Sequence, residues 1–345
     1  MENEISRREF IGSAAGASML ASAAEAKELK PLIKPKALGS GDTIGLVTPA
    51  SPVFAPADIR EGVKTMESLG FRVKLGKHLN RKWGYLAGSD LERSQDLMDL
   101  FVDPEVAGII ALRGGYGTIR ILPHLDYDLL RKNAKILIGY SDLTSLLLAV
   151  HKLAGIVTFH GTVALSTFNE YSTRYFKKTL MQAQPVGPVE DAPANSAVVL
   201  ANGAQPGQVR GALVGGNLTL VCASLATPYE IDTRDKVLFL EEVGEEPYAV
   251  DRMLTQLDQA GKLQECRAIL LDRCAKCVPA EYKPAFYNTF SVEEIIMERL
   301  GRLNVPVLYG LSLGHVADKP VLPLGIEVMV DTQAGRFEII QPAVG

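Results

Sequence analysis

Apolar positions recur along this chain with a strand period and a helix period that alternate in order. Thr43 to Val47 is a short apolar run of the kind a buried strand makes. Ile59, Val63 and Met66 then recur at helical spacing between Pro56 and Leu69, and Gly70 is placed to cap that helix. Phe71 to Leu75 alternates as a second strand. Strand, helix, strand in this order predicts a βαβ unit and a parallel sheet. Ser89 with Glu92 forms a capping box at the head of a helix reaching about Val102. Gly108–Leu112, Lys135–Tyr140 and Ile156–Phe159 read as further strands. Leu143, Leu146, Leu147 and Val150 mark an amphipathic helix between the last two.

The pattern breaks between Gln182 and Gln208, where Pro, Ala, Gly, Gln and Asn dominate and a linker is expected. Beyond it, Lys236–Leu240, Arg267–Leu271 and Val305–Tyr309 read as strands, and Val250–Ala260 and Val292–Leu300 as helices. Glu327–Val330 and Phe337–Ile340 look like a closing hairpin. The expectation is an α/β chain with a parallel-sheet domain over residues 27–181, a linker over 182–208 and a mixed domain over 209–345, richer in antiparallel pairing. A length of 345 residues suits two domains.

The first 26 residues read differently. Arg7-Arg8 precedes a weakly hydrophobic stretch from Phe10 to about Ala24, followed by small-residue cleavage sites at Ala21-Ser22-Ala23 and Ala24-Glu25-Ala26. That stretch is too short to span a bilayer comfortably, which takes about 20 apolar residues. The pattern is that of a twin-arginine export signal. A periplasmic or otherwise exported protein is expected, with no stable membrane span once the signal is removed.

Composition narrows the partners. With 47 % hydrophobic and 22 % charged residues, disorder and fibrous repeats are excluded. Lys and Arg number 36 against 40 Asp and Glu, a net charge of −4, so nothing favours nucleic acid. Four cysteines do not make a disulfide framework. Cys274 and Cys277 have C-x-x-C spacing, but Cys222 and Cys266 do not complete a zinc set and no His-Glu-x-x-His occurs. No metal and no cofactor is expected, and Cys274 and Cys277 read as a disulfide or two free thiols.

Ser141 sits where the strand Ile136–Tyr140 turns directly into a helix beginning near Asp142. Such a turn holds the hydroxyl at the carboxyl edge of a sheet, beside backbone N–H groups able to stabilise an oxyanion. Equally, Ser141 or Asp142 could simply cap the helix. Arg113-Gly114-Gly115-Tyr116-Gly117 follows a strand and could form an oxyanion hole or a carboxylate clamp, or a plain tight turn. It is neither a phosphate loop nor a dinucleotide fingerprint. Of five histidines, His160 and His315 each follow a strand in a glycine-bearing loop, and either could serve as a base. His124 and His151 read as surface or capping residues, and His78 has no evident partner. Glu241 and Glu242 end the strand before Val243, and alternation points them to opposite faces, so at most one can enter a shared cleft.

Six stretches in order now resemble the LD-carboxypeptidases (murein tetrapeptide carboxypeptidases) of serine peptidase family S66. They are Gly41–Ala50, Leu112–Gly117, Ile138–Asp142, Gly211–Leu218, Phe239–Glu245 and Leu313–His315. The resemblance spans nearly everything after the signal. It implies a Ser-Glu-His triad of Ser141, Glu241 and His315, with oxyanion donors at the N–H groups of Gly115 and Asp142. His160 then becomes a structural neighbour. It implies a flavodoxin-like N-terminal domain, a smaller C-terminal domain with a partly barrel-like sheet, a peptidoglycan-derived peptide substrate that loses terminal D-Ala, and a homodimer. A carboxypeptidase must bind a free carboxylate, which Arg113 suits, although a structural ion pair is the other reading of that residue. An exported location departs from the family members that recycle cell-wall peptides in the cytoplasm, and suggests periplasmic remodelling. Two alternatives stand beside this reading: the related branch that inactivates peptidyl-nucleotide antibiotics, and a periplasmic solute-binding protein.

Overall fold

The computed structural model describes residues 30–190, 198–200 and 207–345. The export signal expected at 1–26 and parts of the expected linker (191–197 and 201–206) lie outside the described residues.

The first sheet forms as the alternating pattern requires. Strands β1 (Thr43–Val47), β2 (Arg72–Leu75), β3 (Val106–Ala111), β4 (Ile136–Gly139) and β5 (Phe159–His160) pair in parallel in the order β2-β1-β3-β4-β5. That is the flavodoxin-like order, in which ligand sites lie at the carboxyl ends of the strands. Helices α1 (Pro56–Ser68) and α2 (Asp90–Val102) occupy the expected stretches, and Ser89 and Glu92 make the capping box reciprocally. Two short helices follow, α3 (Thr118–Ile121) and α4 (Tyr127–Lys132).

Helix α5 (Leu143–Ala149) departs from the expectation of an amphipathic helix, because every one of its residues is buried. One flank meets the first sheet. On the other, Thr144 Oγ1 accepts the Asn217 N–H of the second sheet at 3.0 Å. A helix enclosed on all sides needs no polar stripe.

After α6 (Glu170–Leu180) come β6 (Pro185–Val189) and β7 (Val198–Leu200), both inside the segment read as a linker and both edge strands of the second sheet. The other strands are β8 (Gln208–Asn217), β9 (Val237–Glu241), β10 (Ala268–Asp272), β11 (Val307–Leu311), β13 (Glu327–Asp331) and β14 (Arg336–Pro342). The order is β6-β14-β13-β8-β9-β10-β11-β7. The centre β8-β9-β10-β11 is parallel and both flanks are antiparallel, including the expected β13–β14 hairpin. The ten-residue β8 pairs with β13 through its first half and with β9 through its second, which joins two sub-sheets. Among the described residues the second sheet does not close into a barrel. Helices α7 (Leu218–Ala223), α8 (Pro247–Gln259) and α9 (Val292–Leu300) complete this half.

The halves interlock. Strand β12 (Leu322–Pro323), from the C-terminal part of the chain, adds antiparallel to β5 at the edge of the first sheet. Among the described residues no helix is long and apolar enough to cross a membrane.

Candidate functional site

The carboxyl edges of the two sheets face each other across a cleft of about 290 Å³, whose lining includes Phe54, Arg113, Gly115, Tyr140, Ser141 and His315. Ser141 stands between β4 and α5 with φ of +63°, in the left-handed region that side-chain-bearing residues avoid. Only Tyr140 to Asp142 separate the strand from the helix, and the tight reversal forces this conformation. Neither Ser141 nor Asp142 caps α5 through its side chain. The Asp142 carboxylate instead accepts the Thr118 N–H at 2.8 Å, and Thr118 Oγ1 donates to the Asp142 carbonyl, fixing the end of the glycine loop. Burial raises the Asp142 pKa, and those hydrogen bonds only partly offset it.

His315 lies in the loop after β11. Its Nε2 is 3.1 Å from Ser141 Oγ and its Nδ1 2.7 Å from Glu241 Oε2. Glu241 is the last residue of β9 and is fully buried. Burial pushes its pKa up, but the hydrogen bond and charge of His315 outweigh that and hold it below the usual value. An ionised carboxylate on Nδ1 selects the tautomer in which Nδ1 carries the hydrogen and Nε2 is free to accept the serine proton.

Glu242 points the other way, as alternation requires. It accepts the Thr219 N–H and hydroxyl at 2.8 and 2.7 Å and Asn217 Nδ2 at 3.1 Å, securing the start of α7. His160 is fully buried at the back of the cleft, with Nε2 3.1 Å from the Leu313 carbonyl oxygen and its ring 5.0 Å from that of Phe239. Burial pushes its pKa down to about 4, so it stays neutral.

The glycine loop lies against Ser141. A Cβ on Gly114 would stand 3.1 Å from the Ser141 Cβ. Gly115 has φ of +122°, and a Cβ there would meet Ser51 Oγ at 2.4 Å, so only glycine fits. Neither the Gly115 nor the Asp142 N–H has a protein acceptor among the described residues. Arg113 makes no ion pair with a carboxylate among the described residues. Its guanidinium lies 4.3 Å over the Phe54 ring at the cleft wall.

Sequence reading missed several neighbours. Tyr140 packs its ring 4.9 Å from that of His315, and the ammonium of buried Lys319 lies 4.0 Å from the centroid of the same Tyr140 ring. Burial lowers the Lys319 pKa to about 8. Asp272 ends β10 beside Glu241; an acid closing the fully apolar run Ala268–Leu271 was its available signal.

Other expectations are corrected. His151 is half-buried: burial lowers its pKa to about 4, and Nδ1 is 3.2 Å from the Ile156 carbonyl oxygen. His78 does have a partner, with Nδ1 2.7 Å from Asp96 Oδ1. All four cysteines are free and buried. A larger cavity of about 1050 Å³ lies at the far end of α5, but Lys30, Lys236 and Lys262 on its wall pair with Asp128, Asp232 and Glu230. It contains no serine-histidine pair.

Comparison with known proteins agrees with this architecture. A family model described as the LD-carboxypeptidase N-terminal domain matches residues 44–161, and that of the LD-carboxypeptidase C-terminal domain matches residues 210–330. The chain is 38 % identical over 316 residues to a probable murein peptide carboxypeptidase of Bacillus subtilis (strain 168), covering 90 % of this chain and 95 % of the relative. It is 29 % identical to the crystal structure of muramoyltetrapeptide carboxypeptidase from Oxalobacter formigenes, with a TM-score of 0.72 and coverage of 86 % and 97 %. The fold is also that of microcin C7 self immunity protein MccF, with a TM-score of 0.81, 24 % identity and coverage of 91 % and 100 %. With both of its halves matched by the family models, this chain belongs to the LD-carboxypeptidase family of peptidases, S66.

Proposed function

We propose that the chain is a serine-type LD-carboxypeptidase that removes the terminal D-Ala from murein tetrapeptide stems. The observation that carries this reading is the continuous hydrogen-bonded chain Ser141–His315–Glu241, built on a serine strained at φ +63°. A helix-capping serine or a ligand-clamping cleft requires neither. The names of the Bacillus and Oxalobacter relatives support the substrate class.

In this reading Ser141 Oγ attacks the carbonyl of the L-configured centre of the diamino acid, and its proton passes to His315 Nε2. Glu241 stabilises the imidazolium. The oxyanion is held by the N–H groups of Gly115 and Asp142. The tetrahedral intermediate collapses, D-Ala leaves with the proton returned by His315, and an acyl ester remains on Ser141. Water then attacks the ester with His315 as base and restores the serine. Arg113, which has no carboxylate partner among the described residues, receives the terminal carboxylate of the substrate. The pattern read as an export signal at residues 1–26 supports a reaction outside the cytoplasm; fractionation that found only processed, signal-free protein in the cytosol would remove that part.

A second reading is hydrolysis of a peptidyl-nucleotide by the same three residues. It draws on the MccF-like fold and on Tyr248 and Phe286, which stack edge to face at 5.2 Å at the surface of the C-terminal half. Covalent trapping tests what both share. A fluorophosphonate probe should label Ser141 in the wild type, mapped by peptide mass, and should leave Ser141→Ala unlabelled. A folded wild type that resists the probe would instead favour a solute-binding protein.

A further inference from the structure

Strands β9 and β10 run parallel with Leu240 opposite Leu271, so their last residues, Glu241 and Asp272, end side by side at the cleft edge. On the other flank of β10, the register with β11 shifts between Leu271 and Asp272, which sets Asp272 beside Leu311 and ahead of the turn into His315. The Asp272 side chain is fully buried. Its Oδ2 accepts the N–H groups of Leu313 and Gly314 at 2.9 and 2.8 Å, and its Oδ1 accepts the Cys274 N–H at 3.2 Å. These are the two peptide groups immediately before His315. The same segment is held from behind by His160 on the Leu313 carbonyl. On its front face a Cβ at Gly314 would stand 2.1 Å from Glu241 Oε2.

We propose that Asp272 is a positioning residue for the reaction: its carboxylate holds the Leu313–Gly314 backbone so that the His315 imidazole spans Ser141 and Glu241. This rests on the triad reading above. Two charge-assisted hydrogen bonds to consecutive N–H groups fix both the height and the tilt of the loop, which a single bond would not. The charge also matters. Glu241 and Asp272 form a buried pair of carboxylates whose ammonium neighbour is Lys319, which both attract. A proton arriving on His315 therefore enters a site already negative, and the imidazolium is favoured as the serine is deprotonated. The other titratable groups facing Asp272 are Cys274 and Tyr309. Burial pushes the Asp272 pKa up to about 6, so the clamp is ionised above that pH.

The test is Asp272→Asn in the full chain, with fluorophosphonate labelling of Ser141 and tetrapeptide turnover followed from pH 5 to 8. The amide keeps the size of the side chain but loses its charge and cannot accept at both ends. The expected result is acylation and kcat slowed about 100-fold, KM changed less than about threefold, and the acid limb of the labelling rate moved to lower pH. Rates are normalised to labelled sites, so a partly unfolded sample would lower the yield without moving the limb. Should the variant fail to fold, Asp272→Glu, which keeps the charge and displaces the acceptors, must slow labelling without moving the limb. Wild-type labelling with an unaltered rate and acid limb in Asp272→Asn would overturn the proposal. Absence of labelling in the wild type would overturn the triad reading instead.

Discussion

Ser141 holds a conformation that costs a residue with a side chain on the order of 1 kcal/mol. The strain persists because β4 and α5 are both buried and leave the turn no slack. Glycine at 141 should therefore be more stable to urea than alanine by about 1 kcal/mol, with both variants inactive. Equal stabilities would mean the turn is relaxed. The turn itself was legible in sequence, because an apolar strand run abuts a helical run with almost nothing between. Its partners were less so. His160 and His315 both follow strands in glycine-bearing loops, and the resemblance to a family made the choice. Both do reach the site, one on Ser141 and the other on the Leu313 backbone. Glu241 and Glu242 obeyed simple alternation, since a strand end keeps its period. Lys319 and Asp272 gave little signal, because a buried charge is recognised by what surrounds it and not by its neighbours in the chain.

At the level of elements, the site is an assembly of strand ends: β3 supplies the glycine loop, β4 the serine, β9 the glutamate and β11 the histidine loop. A Cβ at Gly314 would stand 2.1 Å from Glu241 Oε2, so the loop and the carboxylate leave no room between them. Gly314→Ala should push the loop or the carboxylate aside and lower kcat about 100-fold, while the unaltered Ser141 turn and glycine loop keep substrate affinity within a few-fold. A change in KM alone would show that the loop relaxes without displacing His315. Most strands were legible because they are short apolar runs bounded by turn residues. The exceptions have physical causes. Strand β6 contains Pro185, Gly187 and Pro188, a composition that reads as linker but that an edge strand tolerates. Strand β8 carries Gly211, Gly215 and Gly216, which lower its strand signal. Helix α5 showed periodicity at Leu143, Leu146, Leu147 and Val150, yet its other face is buried too.

Ser141 stands on one half of the molecule and His315 and Glu241 on the other, so the hydrogen-bonded row they form depends on how the halves hold together. Helix α5 and β12 interlock them, and His160 crosses from the first sheet to the loop of His315. That arrangement carries an acid liability. His160 is held neutral by burial, with a pKa of about 4 when folded against about 6.5 when unfolded. As pH falls through that window the unfolded chain takes up the proton first, and stability falls by on the order of 3 kcal/mol. His151 acts in the same direction. Asp272, raised to about 6, binds its proton more tightly when folded and offsets part of the loss between about pH 6 and 4. The melting temperature should accordingly fall between pH 6.5 and 4, and His160→Gln should flatten the fall. A wild-type profile that is level over this range would contradict the burial of these imidazoles.

The reaction at Ser141 is open to one decisive measurement, mass spectrometry of a murein tetrapeptide incubated with the purified protein, beside Ser141→Ala. Loss of one terminal alanine is expected with the wild type and an intact peptide with the variant. An intact tetrapeptide in the presence of folded wild type, or equal cleavage by both proteins, would contradict it.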